Sequence, residues 1–231
     1  MEFAKEKNII LHTHFCENTK EVEDIKNAYN KMPTEVLKEE FKDVKTILAH
    51  GVKLNIDDIE TLSKLNTSVV HCPVSNLRLG CGIANISEML DKNINVALGT
   101  DGQGSGSNMD LFEQMKFTAL LQKGGKEDPT LIPAYEVLKM ATINGAKALG
   151  LEDKIGSIEE GKEADIIIID LNSVTTSPVN DIFSDIVYNV KGTNVDTTII
   201  NGQIIMEDRK VEFNEKEIFE KCKEIIEKIS R

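Results

Sequence analysis

The chain has 231 residues, enough to bury one large core or two smaller ones, and a formal charge of −12 from 39 acidic and 27 basic side chains. The charge is spread through Glu- and Lys-rich stretches, which disfavours nucleic acid and anionic membrane as partners and favours a small-molecule ligand. No apolar run reaches the ~20 residues of a spanning helix, and the opening MEFAKEKNII lacks the basic-then-apolar layout of a signal peptide, so the cytoplasm is the expected compartment.

In chain order, the apolar run Asn8 to Leu11 predicts a strand ending in the histidines of LHTHFCE. Asn18 predicts a helix N-cap, with Glu21 at the capping-box position and Val22, Ile25, Tyr29 and Met32 on one helical face. The unit repeats. TILAH ends at His50 ahead of a helix carrying Ile59, Leu62 and Leu65, and SVVHCP carries His71 ahead of a helix near Ile86 to Leu90. NINVALGTDG carries Asp101 ahead of a helix from Leu111 to Leu121. Four near-continuous β-branched runs, each followed by a helix, predict parallel strands covered on both faces.

A further helix is predicted from Pro133 to Leu149, ending at Gly150, after which the pattern changes. GSIEEGKEADIIIIDL and VDTTIINGQIIMEDRKV are β-rich, with Asn201-Gly202 a strong hairpin turn. From Asn214 a last helix is predicted, with Glu217 at the capping-box position and a stripe of Ile218, Cys222, Ile225 and Ile229 that needs a surface to cover. The four cysteines, Cys16, Cys72, Cys81 and Cys222, show no Cys-x-x-Cys spacing and read as reduced thiols, Cys16 and Cys72 as small apolar fillers.

Each strand-helix unit carries a potentially catalytic residue where the strand gives way to a loop. His14 and Glu17 stand three residues apart and Asp101 follows far along the chain; imidazole and carboxylate are both good ligands for a borderline divalent metal. An open doubly wound sheet also gathers ligands at that edge, but a barrel brings four neighbouring strand ends round a common centre, and the barrel is the expectation. A lone histidine at a strand end ordinarily bonds a loop carbonyl, which is the reading for His71, while Asn76 reads as a loop brace. Gly102, Gly104 and Gly106 lack the Lys-Ser/Thr that a phosphate loop requires.

The runs LHTHFCENTKEVED, AHGV, HCPVSNLRLGCGIANISEMLDKNINVALGTDG and MATINGAKALGLEDKIGSIEEGKEADIIIIDL resemble, in order and across almost the whole chain, the metal-dependent amidohydrolases. Within that superfamily they are most similar to the 5'-methylthioadenosine and S-adenosylhomocysteine deaminases. The resemblance implies an α/β fold: the C-terminal half of a TIM-type (β/α)8 barrel, strands five to eight, over residues 1–150. Part of a small β-sandwich would follow over 151–212 and a C-terminal amphipathic helix over 213–231.

It further implies one divalent metal held by His14 and Asp101, usually zinc, with iron or manganese compatible with the same ligand types. By the same resemblance Glu17 contacts substrate and shuttles protons, His50 helps to position the attacking water, and Asp101 binds metal and accepts the water's proton. Glu17, His50 and Asp101 are thus the implied catalytic and substrate-binding residues, and His12 has no such role. The family's other two metal ligands are a His-x-His pair on the first strand, and the four histidines here, His12, His14, His50 and His71, leave none to supply it. The loop DGQGSGSNMD is also richer in Gly and Ser than the Asn-rich family version.

The implied reaction is hydrolysis of a purine nucleoside to its hypoxanthine analogue and ammonia, with guanine deaminase or another ring hydrolase as the nearest rival. A different class of reading is a non-catalytic fragment or split subunit, which would need the N-terminal half or a second copy of itself as partner.

Overall fold

The four predicted β-branched runs pair in the order in which they occur. In the computed structural model, which describes residues 2–106 and 108–229, β1 (Leu11–Phe15), β2 (Thr46–His50), β3 (Thr67–His71) and β4 (Asn95–Leu98) form one parallel sheet in the order β1-β2-β3-β4. The order contains no reversal, so the sheet shows no switch point of the kind at which doubly wound folds bind ligands. Register brings the C-terminal ends to one edge: Phe15 lies beside His50, and His71 beside Leu98.

Alternation along the strands builds the core. Leu48, Val69 and Val96 are fully buried in one cluster with Ile59 and Leu62 of helix Ile56–Leu62 and Ile86 and Met89 of helix Ile86–Asp91. Helix Leu111–Lys126 adds Phe112, Met115 and Ala119 to the same cluster. Residues this apolar at every second strand position have one stable placement, against helices.

Several predicted elements are repositioned. β1 begins at Leu11, not Asn8, so His12 and His14 lie inside the strand. The helix capped by Asn18 spans Thr19–Tyr29 and buries no residue fully; Met32 lies beyond it, at the N-cap of a further helix, Pro33–Phe41, which Pro33 opens at a first-turn position. The stretch from Pro133 to Leu149 is two helices, Ala134–Met140 and Ile143–Leu149, broken at Thr142 (φ −129°, ψ −100°) and ended by left-handed Gly150.

β5 (Ile166–Ile169), β6 (Val195–Ile200), β7 (Gln203–Glu207) and β8 (Lys210–Val211) form a separate antiparallel sheet. Asn201 and Gly202 are both left-handed (φ 49° and 74°), the backbone that a two-residue hairpin turn demands. Between β5 and β6, helix Ile182–Tyr188 sends Val187 into the main core. Helix Glu215–Ile229 leaves Ile218, Cys222, Ile225 and Ile229 exposed, so its stripe is uncovered among the described residues. No helix among them is long and apolar enough to cross a membrane.

Candidate active site

At three of the four strand ends the chain turns through a left-handed residue that is not glycine: Cys16 (φ 50°), His50 (φ 79°) and Asp101 (φ 58°). Such backbone is disfavoured for residues with a Cβ and persists where the surroundings hold it, commonly at functional sites. Two residues before His50, Leu48 packs in the core. The turn at His50 breaks that alternation, and its buried ring meets Asn76, Glu17 and His14 instead.

The His50 ring stacks on that of His14, with centroids 5.5 Å apart and planes 16° from parallel. Its Nε2 lies 4.0 Å from Glu17 Oε1, beyond direct hydrogen bonding. Its Nδ1 is 2.8 Å from Asn76 Oδ1. Glu17 is placed by its own backbone: the Glu21 carboxylate accepts from the N–H groups of Cys16 and Glu17, each at 2.8 Å. Asn18 caps the helix as predicted, accepting from Glu21 N–H at 2.9 Å, but Glu21 braces the Glu17 turn rather than returning to the Asn18 N–H. The Cys81 thiol faces Glu17 Oε1 at 3.8 Å.

Asp101 is held apart from this group. Its Oδ2 accepts from Ser75 Oγ (2.6 Å) and Ser105 Oγ (2.8 Å), and its Oδ1 from Gly102 N–H (2.6 Å). Partial burial pushes its pKa up, but these hydrogen bonds and the nearby His50 outweigh it and hold the carboxyl down to about 2. Ser75 and Asn76 are consecutive on helix Pro73–Arg78, so one dipeptide grips Asp101 with its first residue and His50 with its second.

The structure therefore brings His14, Glu17 and His50 into one group and links Asp101 to it through Ser75-Asn76. Ser75, Ser105 and Glu21 were not among the predicted site residues. Only Glu21, at a capping-box position just after Glu17, carried a sequence signal. Asn76, read as a loop brace, is buried against His50. His71 does not bond a loop carbonyl: its ring is buried and neither nitrogen has a partner among the described residues. Burial, reinforced by the nearby His50, lowers its pKa to about 3, so it is neutral at physiological pH. All four cysteines are free. Cys72 is pushed up to about 12 by burial and then by Asp101, and Cys16 is raised by burial, then Glu21, as fits inert fillers.

As metal ligands, the donors fit in kind and fall short in number. His14 is exposed on β1 and Asp101 is ionised, an imidazole and a carboxylate suited to a divalent cation. Among the described residues, however, no group of three or more His, Cys, Asp or Glu side chains is placed to hold one.

The model of the amidohydrolase family matches residues 1–205. The chain belongs to the amidohydrolase family. This amidohydrolase is 45% identical over 212 residues to a 5-methylthioadenosine/S-adenosylhomocysteine deaminase of Caldanaerobacter subterraneus subsp. tengcongensis, over 91% of the chain and 49% of that relative. It is 47% identical over 226 residues to the enzyme of the same description from Acetivibrio thermocellus, over 94% of the chain and 52% of the relative. Among solved structures, an adenosine deaminase from Xanthomonas campestris with bound zinc superposes with a TM-score of 0.95 at 30% identity, over 99% of the chain and 53% of that protein. The chain spans about half the length of the relatives it matches.

Proposed function

We propose that this amidohydrolase chain carries half of an active site for the hydrolytic deamination of an adenine nucleoside, 5'-methylthioadenosine, S-adenosylhomocysteine or adenosine, to the inosine analogue and ammonia. The observation that carries the reading is the convergence of His14, Glu17 and His50 at one sheet edge, in a chain whose relatives are described as deaminases of such nucleosides. On this reading residues 1–150 are strands five to eight of a (β/α)8 barrel with their helices, 151–212 part of a β-sandwich and 213–231 a terminal helix. The sequential parallel order of β1 to β4 supports it.

His14 and Asp101 would hold one divalent cation, zinc by analogy with the Xanthomonas structure, with further ligands from outside this chain. When bound, such a cation supplies a water whose pKa falls from 15.7 towards ~7. The chain's own residues then handle protons and position. As water adds to C6 of the ring, Glu17 takes one of its protons and passes it to the ring nitrogen; the proton left on the added hydroxyl, taken up by Asp101, goes by way of Glu17 to the exocyclic amine, which leaves as ammonia. Asp101 accepts the water's proton, for which its carboxylate is ionised above about pH 2. His50, held by Asn76, hydrogen-bonds the attacking water and positions it beside the ring. The free cysteines suit a reducing, cytoplasmic setting.

The absence of a three-ligand group among the described residues favours a second element of the reading: the chain needs a partner polypeptide to complete its site. The test is ammonia release from adenosine, methylthioadenosine, adenosylhomocysteine and guanine with zinc added, on the chain alone and mixed with the complementary half of a longer relative. Turnover of an adenine nucleoside only in the mixture, lost in Glu17→Gln with metal content unchanged, is the expected result. Guanine turnover alone moves the chain to the guanine deaminases, and metal-loaded protein active on none of the four overturns the deaminase reading.

A further inference from the structure

Neither the fold nor the relatives assign a part to Asn76, yet its carboxamide is among the most deeply buried polar groups of the molecule. Asn76 and His50 are each 1% exposed, and their Oδ1 and Nδ1 lie 2.8 Å apart. A carboxamide oxygen only accepts, so the ring must donate through Nδ1–H. A neutral imidazole carries one ring proton, and placing it on Nδ1 leaves a lone pair on Nε2.

We propose that Asn76 is a positioning residue that fixes His50 as the Nδ1–H tautomer, so that Nε2 meets the reacting water as a hydrogen-bond acceptor. This rests on the deaminase reading only for its consequence in catalysis; the tautomer itself is a property of the folded chain.

Three features of the geometry carry it. Asn76 is itself well anchored: its N–H donates to Cys72 O at 3.0 Å and its carbonyl accepts from Cys81 N–H at 2.8 Å. Its backbone is therefore fixed, and because its Nδ2 is buried with no partner among the described residues, the bond to His50 is what orients the carboxamide. The left-handed backbone of His50 needs a compensating contact, and the 2.8 Å bond in a buried setting is one. On the other side of the ring, Nε2 faces Glu17 Oε1 across 4.0 Å. A lone pair and a carboxylate at that spacing are two acceptors, and they suit a donor with two hydrogens placed between and beside them, which is what a water offers. The opposite tautomer would put a second donor at Nε2 and leave the 2.8 Å contact at Nδ1 with two facing acceptors.

The test reads the ring nitrogens directly. The 231-residue chain is labelled with ¹⁵N-histidine and its long-range ring correlations recorded near pH ~8, above the ordinary imidazole pKa of ~6.5, with His50→Gln used to assign the His50 signals. Nδ1 in the upfield, protonated position and Nε2 in the downfield, unprotonated position is the expected result. In Asn76→Leu the two signals should converge or exchange places, whereas Asn76→Asp, which keeps an acceptor, should retain the wild-type pattern. An Nε2–H or averaged His50 in the wild type overturns the proposal, as does an unchanged pattern in Asn76→Leu. The wild-type spectrum suffices if a variant does not fold. None of these readings needs metal or turnover, so a chain inactive on every nucleoside would sink the deaminase reading and leave the tautomer result standing.

Discussion

His71 is a titratable ring sealed in the core with no partner for either nitrogen among the described residues, and this makes it a source of acid sensitivity. Its pKa is about 3 in the folded chain and ~6.5 when unfolded. Above ~6.5 the ring is neutral in both states and costs the fold nothing electrostatically. As pH falls from ~6.5 towards about 3, the unfolded chain takes up a proton that the folded chain refuses, and stability drops by up to ~1.4 kcal/mol per pH unit. Asp101 acts in a lower window that overlaps that of His71 only at its acid end, because its depressed carboxyl stabilises the fold above its ordinary ~3.8 and loses that effect only as pH falls towards about 2. His71→Leu should therefore flatten the decline in urea midpoint between pH ~6.5 and ~4, and leave stability at pH ~8 unchanged or raised, since an unsatisfied polar group is replaced by an apolar one. An equal slope in both proteins would mean that another group titrates there. As candidates, Glu17, His50 and Asp101 could be picked out in the sequence because each lies at or just past a strand end, and His14 because it stands one residue short of one. What each side chain bonds to was not legible: the orphaned nitrogens of His71 and the grip of Asn76 on His50 depend on residues that the fold brings together.

At the scale of elements, the close approach of neighbouring strand ends leaves a mark at Gly99, just past β4. A Cβ built there would lie 2.8 Å from Val70 Cγ1 on the neighbouring strand, closer than packed atoms tolerate, and a tight 3.2 Å from Cys72 Sγ just past that strand's end. Gly99→Ala should cost ~1–3 kcal/mol by overpacking, read as a lower denaturant midpoint, and adding Val70→Ala should recover part of that loss. A single variant of wild-type stability would show that β3 and β4 can part without penalty. All four parallel strands, the Asn201-Gly202 hairpin and the helices after β2 and β4 were readable, because long runs of one period leave little choice. Helices Pro33–Phe41, Pro73–Arg78 and Ile182–Tyr188 were not. The last two are six and seven residues long, too short for a repeating apolar face to emerge from the sequence, and their stability comes from tertiary packing. The division of 134–149 escaped for a related reason: Thr142 breaks the helix while the apolar spacing continues through it.

Over the whole molecule, apolar surface remains uncovered on three sides. β1 pairs only with β2 and β4 only with β3 among the described residues, and a groove along β1 is lined by Ile25, Val36 and Phe41 together with His12 and His14. The antiparallel sheet exposes Ile167, Ile168, Ile200, Ile204 and Ile205, and the last helix exposes Ile218, Phe219, Ile225, Ile226 and Ile229. Open strand edges and apolar faces of this extent favour association. The charge of −12 opposes it, since like-charged copies repel. Repulsion is screened over ~10 Å at 0.1 M salt and ~3 Å at 1 M, whereas apolar burial is not weakened by salt. The isolated chain should therefore pass from monomer to larger species as salt and protein concentration rise, in light scattering coupled to size exclusion. Ile226→Glu on the helix and Ile204→Glu on the sheet should each move the transition to higher concentration if its face takes part, and the face whose variant has the larger effect is the main contact. A wild-type chain that stays monomeric at 1 M salt would mean that these faces do not drive association, leaving the β1 edge and its groove without a self-complementary role.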